Sequence, residues 1–88
     1  MAEEQKNPDF EKIVPLCIHE LDLKFHDYRN SWMTSYTPYW LKRISNELEE
    51  YQKSMTDQSA KRKLLNIINM CAMAWDNLEN GRMKHDRF

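Results

Sequence analysis

Apolar side chains recur at steps of three and four residues along most of the chain, a spacing that predicts helices rather than strands. The first such stripe begins at Val14 and continues to Tyr28. Pro15 lies inside it, and proline lacks a backbone N–H donor and clashes with the preceding helical turn. We therefore expect a helix over residues 15–27, preceded by a separate short turn over residues 8–14.

A connection rich in aromatic residues, residues 28–36, separates this helix from the second one. Thr37 followed by Pro38 predicts the second start, because threonine caps helices and proline suits the first helical position. The apolar residues that follow form one stripe, which we expect to face the core. They are Leu41, Ile44, Leu48, Tyr51 and Met55.

The third helix has clear limits in the sequence. Thr56 or Asp57 is its expected cap, and Asn80 with Gly81 supplies a left-handed stop. The charged tail, residues 82–88, is expected to fray. The apolar residues of this helix are expected to form a core-facing stripe made of Ala60, Leu64, Leu65, Ile67, Ile68, Cys71, Ala72 and Trp75.

This helix is apolar on its far side too, through Met70, Met73 and Ala74. A three-helix monomer cannot easily bury a helix nearly all round, so the second apolar face predicts a homodimer. Asn66 and Asn69 lie one turn apart, and a buried amide must find hydrogen-bond partners. We expect these two amides at a polar site inside the assembly.

Composition agrees with one small all-α domain, a three-helix chain that forms a helical bundle completed by dimerisation. The chain has 88 residues, with one glycine, three prolines, 31% charged and 41% hydrophobic residues. A chain this short buries little of its surface and often depends on a partner subunit. Residues 1–12 are expected to lead into a helical core over residues 13–80, and residues 81–88 to form the tail.

Charge and cysteine usage narrow the class of protein. The formal net charge of −1 disfavours nonspecific binding to nucleic acid or to an anionic membrane. No uncharged apolar run approaches the roughly 18 residues that span a bilayer, and the first residues contain no apolar signal core. Cys17 and Cys71 lack a metal-binding spacing, so we expect both to be reduced core residues of a cytoplasmic protein.

Candidate chemistry lies on the second helix, where Glu47 and Glu50 are one turn apart beside the apolar stripe. Mg²⁺ prefers carboxylate oxygens and is often held by one or two of them together with waters and substrate phosphates. The alternative is that both are solvated surface charges paired with Arg43 or Lys53, since this spacing is common on helix surfaces. The pair on its own supports either interpretation.

Four segments in a fixed order add weight to the metal interpretation. They are residues 26–32 (HDYRNSW), residues 40–44 (WLKRI), Glu47-x-x-Glu50 and residues 64–73 (LLNIINMCAM). In this order and spacing the chain resembles the MazG-like all-α nucleotide pyrophosphohydrolase superfamily, in particular its small, often phage-encoded members. The resemblance covers roughly residues 20–80.

The resemblance implies a helical dimer or tetramer in which Mg²⁺, held by acidic pairs on two adjacent helices, activates water to split a nucleoside triphosphate into monophosphate and pyrophosphate. Glu47 and Glu50 match the first pair. The second pair falls at Lys63 and Asn66, where a cation and a neutral amide replace two carboxylates. We therefore expect a nucleotide-binding protein with a weakened Mg²⁺ site that can still act as a nucleoside triphosphate pyrophosphohydrolase; the alternative is an inactive helical dimer that acts as a regulatory or interaction module.

Six residues are candidates for nucleotide binding. Lys63 next to the carboxylates can contact a substrate phosphate directly, or it can be a solvated charge. Aromatic side chains of the connection can stack on a base or simply pack onto the bundle. The candidates are Lys63, Asn66, Asn69, Tyr28, Asn30 and Trp32.

Two further groups of residues have weaker functional interpretations. His19, Asp22 and His26 have a spacing that zinc accepts, but three ligands on one helix are more typical of a solvated face. The basic run of residues 61–63 also allows a DNA-binding interpretation. That interpretation predicts DNA binding that weakens steeply as the salt concentration rises.

Overall fold

The computed structural model describes residues 6–24 and 30–85, and every regular element in these segments is helical. The α-helices are α1 (Phe10–Leu23), α2 (Thr37–Gln52) and α3 (Asp57–Glu79), with a 3₁₀ helix (Ser31–Thr34) before α2. Both α1 and α2 pack against α3, which is the longest of them. The prediction of an all-α, three-helix chain is confirmed.

Helix α1 begins earlier than predicted. Asp9 caps it, with its carboxylate accepting a hydrogen bond from the Lys12 N–H at 3.2 Å, and the helix continues through Pro15. The prediction of a separate turn over residues 8–14 is therefore wrong. A proline removes one backbone hydrogen bond, and here the capped turn before it and the packed turn after it keep the helix continuous. The predicted end near residue 27 lies outside the described residues.

Helix α2 begins where it was predicted, but a different residue provides the cap position. The extended residue before the helix is Tyr36, while the Thr37 hydroxyl donates a hydrogen bond to the Lys84 carbonyl at 3.2 Å. The predicted core stripe is also wrong. Only Ile44 of the stripe packs onto the core; the others are exposed, and Trp40, one residue before the stripe, is buried instead.

Helix α3 has the predicted limits. The Thr56 hydroxyl accepts a hydrogen bond from the Ser59 N–H at 3.1 Å, and the helix ends at Glu79, followed by Gly81 with φ of +69°. Its buried residues are Asn66, Met70, Met73 and Asn77. The prediction that the stripe containing Leu64, Ile68, Cys71 and Trp75 faces the core is wrong, because these side chains are exposed.

The hydrophobic core contains Trp40, Met70, Met73 and Met83, with partly buried apolar side chains around them. Met83 follows α3, so this part of the tail packs instead of fraying. Asn77, which is fully buried, holds that segment in place, because its side-chain oxygen accepts a hydrogen bond from Arg82 Nε at 2.9 Å. Met70 and Met73, which the sequence places on the far side of the helix, form its core face instead.

Candidate functional site

The two carboxylates of α2 face polar side chains of α3. Lys63 Nζ donates to Glu50 Oε2 at 3.1 Å, and Asn66 Nδ2 lies 3.5 Å from Glu47 Oε2. Both pairs of residues are spaced three apart on neighbouring helices, so each α3 side chain is opposite one α2 carboxylate. Glu47, Glu50, Lys63 and Asn66 therefore form one polar group between α2 and α3.

The lysine neutralises the nearer carboxylate. The hydrogen bond and the positive charge of Lys63 lower the pKa of Glu50, and a hydrogen bond with Glu47 lowers it further. Such a shift means that the ionised form of Glu50 is favoured by its surroundings. The alternative interpretation paired these carboxylates with Arg43 or Lys53, whereas Glu50 pairs with Lys63 of the next helix.

A third element contributes Lys24, which follows α1. Partial burial lowers the pKa of its ammonium, and the charge of Glu47 opposes that shift. Lys24 lines an open cleft of about 480 Å³ together with Arg62, Lys63, Asn66 and the first turn of α3. The cleft therefore brings together three cationic side chains from two parts of the chain.

The third cation is held by a buried carboxylate of α1. Arg62 contacts Glu20 through two nitrogens, at 3.3 and 3.4 Å, and the Glu20 side chain is only 10% exposed. Neither Lys24 nor Glu20 was predicted as a site residue. Their only sequence signal is a four-residue spacing beside the apolar positions Cys17 and Leu21, which places them at the edge of the α1 stripe.

The basic run of residues 61–63 does not form one surface. Arg62 binds Glu20 of α1, and Lys63 binds Glu50 of α2. Lys61 lies on the opposite side of α3, beside an apolar groove. Consecutive helical residues point about 100° apart, so Lys61 lies away from the cleft that Arg62 and Lys63 line. This division gives no support to a DNA-binding strip.

The donor set does not fit Mg²⁺. The ion prefers an octahedral shell of oxygen ligands, but Glu50 is engaged by an ammonium and Glu47 faces an amide N–H₂, which is a donor. Within residues 6–24 and 30–85 no group of three or more histidine, cysteine or acidic side chains has a metal-binding arrangement. Of the three residues whose spacing zinc accepts, His19 and Asp22 are described and belong to no such group. The third, His26, lies outside the described residues.

The other predicted nucleotide contacts are divided between two regions. Asn69 does not line the cleft but borders a small neighbouring pocket with Lys24 and Asn66, and its amide donates to the Cys17 carbonyl at 2.9 Å, which joins α3 to α1. Trp32 packs at the other end of α3, and its carbonyl accepts a hydrogen bond from Asn77 at 2.8 Å. Asn77 is about 21 Å along the helix from Lys63. The structure therefore does not bring Trp32 to the cleft.

Asn30 precedes the 3₁₀ helix, where its carbonyl accepts a hydrogen bond from the Met33 N–H at 3.1 Å. It belongs to the same region as Trp32. Tyr28 lies outside the described residues. The two cysteines also differ from the prediction: both are free, but only Cys17 is buried and Cys71 is exposed.

Comparisons with protein-family profiles, with curated proteins and with solved structures found no match to this chain. The MazG-like resemblance therefore stays a prediction. Among the described helices, none combines the length and the apolar character needed to cross a membrane.

Proposed function

We propose that this chain binds the phosphate groups of a nucleotide in the cleft at the beginning of α3, without a metal ion. The observation that supports this proposal is the convergence of Lys24, Arg62 and Lys63 on that cleft. Lysine and arginine bind phosphate oxygens through charge-assisted hydrogen bonds. Each of these cations is close to a carboxylate, so an incoming phosphate competes with Glu50 for Lys63.

Lys24 makes the cleft favourable for an anion. Burial disfavours its charged form, as the lowered pKa indicates, and a bound phosphate would offset that penalty. The first turn of α3 also lines the cleft, and the partial positive charge of a helix N-terminus favours an anion there. The cleft volume of about 480 Å³ is in the range of pockets that hold small ligands.

We propose a nucleotide as the ligand because of the MazG-like resemblance. We propose phosphate as the group that binds because Lys24, Arg62 and Lys63 line the cleft. Hydrolysis is not part of the proposal, because Lys63 and Asn66 engage the carboxylates that would hold Mg²⁺. In this view Lys63 supplies the positive charge that a metal supplies to phosphates elsewhere.

Isothermal titration with pyrophosphate and with each nucleoside triphosphate, in the presence of a chelator, tests the proposal. We expect binding that Lys24→Ala and Lys63→Ala each weaken about tenfold. Lys42→Ala is the matched control, since Lys42 is exposed on α2 and does not line the cleft. Glu50→Gln should strengthen binding about two- to fivefold, because it releases Lys63.

Two results would overturn this function. One is the absence of any heat of binding when pyrophosphate or a nucleoside triphosphate is added. The other is binding that requires Mg²⁺ together with release of pyrophosphate that Glu47→Ala or Glu50→Ala abolishes, which would restore the hydrolase.

The exposed apolar surface favours a second candidate, and we propose that the chain also associates with a second copy of itself. A folded monomer of 10.7 kDa is expected to expose about 5500 Å², whereas this chain exposes 7556 Å². The difference is about 2000 Å² per chain, or about 4000 Å² for two copies, which lies in the range that obligate homodimer interfaces bury. Sedimentation equilibrium at several concentrations tests this, and a monomer at all of them would exclude it.

A further inference from the structure

Helix α3 has two faces of unequal polarity, and the more apolar one is exposed. The inner face carries two asparagines, Asn66 and Asn77, together with two methionines. The outer face carries no charge between Lys61 and Glu79. Its members are Leu64, Ile68, Cys71, Ala72 and Trp75, with Leu64 41%, Ile68 44% and Trp75 63% exposed. A helix with this distribution needs a partner on its outer face.

The two charges that bound this face are complementary to each other. Lys61 and Glu79 are 18 residues apart, which is five helical turns, so both lie on the same side of α3. When two copies of α3 cross in antiparallel orientation at residue 70, Lys61 of one copy is opposite Glu79 of the partner subunit. The symmetry of the pair produces this contact twice.

The same antiparallel register pairs large side chains with small ones. Ile68 comes opposite Ala72 of the partner subunit, because both lie two residues from the centre. Trp75 comes opposite residues 64 and 65 of the second copy. In each copy those residues border an apolar groove of about 410 Å³, whose other apolar lining residues include Ile13 and Leu16 of α1. The groove is large enough for an indole ring, and Trp75 is the large exposed side chain at the matching height.

We propose that two copies of this chain pair through the outer faces of α3 in antiparallel orientation. Lys61 contacts Glu79 of the partner subunit, and Trp75 occupies the partner's groove between α1 and α3. The inference specifies the geometry of the self-association proposed above and rests on it. The phosphate cleft lies on the other side of α3, so it stays open in this dimer.

A charge swap tests the register. Sedimentation equilibrium on the full chain should show a dimer that Lys61→Glu and Glu79→Lys each weaken roughly tenfold or more. The double variant, with both charges exchanged, should recover most of the wild-type affinity. Lys53→Glu is the matched control, because Lys53 is an exposed lysine just after α2, away from this face. Far-UV circular dichroism confirms that each variant keeps its helices.

The outcomes separate this inference from the one it rests on. A monomeric wild type would exclude both. A wild-type dimer that neither single reversal weakens, or two weakened single variants that the double variant does not rescue, would overturn the antiparallel register alone. Trp75→Ala provides an independent measurement, and a dimer as strong as the wild type in that variant would exclude the groove as the site of the indole.

Discussion

Replacing Asn77 with alanine should destabilise the fold strongly, although the residue is polar and near the end of a helix. Asn77 is fully buried, donates to the Trp32 carbonyl at 2.8 Å and accepts from Arg82 Nε at 2.9 Å. The side chain therefore joins α3 both to the 3₁₀ helix and to the segment that carries Met83 into the core.

The magnitude follows from these two hydrogen bonds. A neutral hydrogen bond contributes about 0.5–1.5 kcal/mol, and one to a charged group about 1.5–3 kcal/mol. Asn77→Ala also leaves the Trp32 carbonyl without this donor. We expect a loss of about 2–4 kcal/mol, a large part of the roughly 4–13 kcal/mol typical of a chain this size. The corresponding fall in Tm is about 8 °C or more.

Urea and thermal unfolding followed by circular dichroism measure this loss. Because association stabilises a folded chain, wild type and variants must be compared at one protein concentration. Asn80→Ala is the matched control: its amide also donates to a backbone carbonyl, that of Asp76 at 2.9 Å, but the residue is exposed. That change should stay within about 0.5 kcal/mol. Equal losses in the two variants would refute the reasoning, because burial would then carry no extra penalty.

Three further measurements check other parts of the structure. Gly81→Ala should lower the unfolding free energy by about 1 kcal/mol in the same assay, because φ is +69° and alanine disfavours it; no atom lies within 4 Å of the added carbon, so steric contact adds nothing. The pKa of Glu50 lies below its ordinary value of 4.5, so the ion pair with Lys63 stabilises the fold fully at pH values above 4.5. This stabilisation is lost as the pH falls through the lowered pKa of Glu50. The Tm difference between wild type and Glu50→Gln should shrink over that interval, and a difference independent of pH would contradict the pairing. In alkylation followed by mass spectrometry, at a protein concentration low enough to keep the chain monomeric, Cys71 should react faster than Cys17, which is buried and whose pKa burial raises; equal rates would contradict the burial of Cys17.

Local signals in the sequence were sufficient for the limits of α3. Thr56 caps the helix through its own side chain, and Gly81 adopts the left-handed conformation that ends it. Both interactions involve residues three or fewer positions from the helix end, so neither depends on the rest of the fold. The start of α1 differs from the prediction because Asp9 caps the helix and the helix continues through Pro15.

The orientation of the helices could not be predicted in the same way. On α2 the buried apolar residue is Trp40, and the predicted stripe began one residue later, at Leu41. One residue corresponds to a rotation of about 100°, enough to move a stripe from core to solvent. Sequence periodicity finds the most apolar face, whereas packing against α3 selects the face that contacts the core. Where a second copy covers the outer face, these two faces differ.

The polar contacts of the candidate site also include some that the sequence predicts and some that depend on helix packing. The match of Glu47 and Glu50 with Lys63 and Asn66 was predicted from the order of motifs, and the side chains do meet. Lys24 was not predicted, because its approach to the cleft depends on how α1 packs. A contact between segments distant in sequence leaves no periodic signal in either segment.

The three buried or partly buried amides of α3 explain why the less apolar face is the inner one. Asn66 faces a carboxylate of α2, Asn69 donates to a carbonyl of α1, and Asn77 donates to a carbonyl of the 3₁₀ helix. Each amide therefore binds a different element.

Hydrophobic burial alone cannot distinguish the two faces of α3, because both carry large apolar side chains. Rotating the helix by half a turn would bury Leu64, Ile68 and Trp75, but it would remove all three amides from their acceptors. Unsatisfied buried partners would then cost about 1–3 kcal/mol each. The amides thus select one orientation of α3, and the orientation they select leaves the more apolar face of this helix exposed.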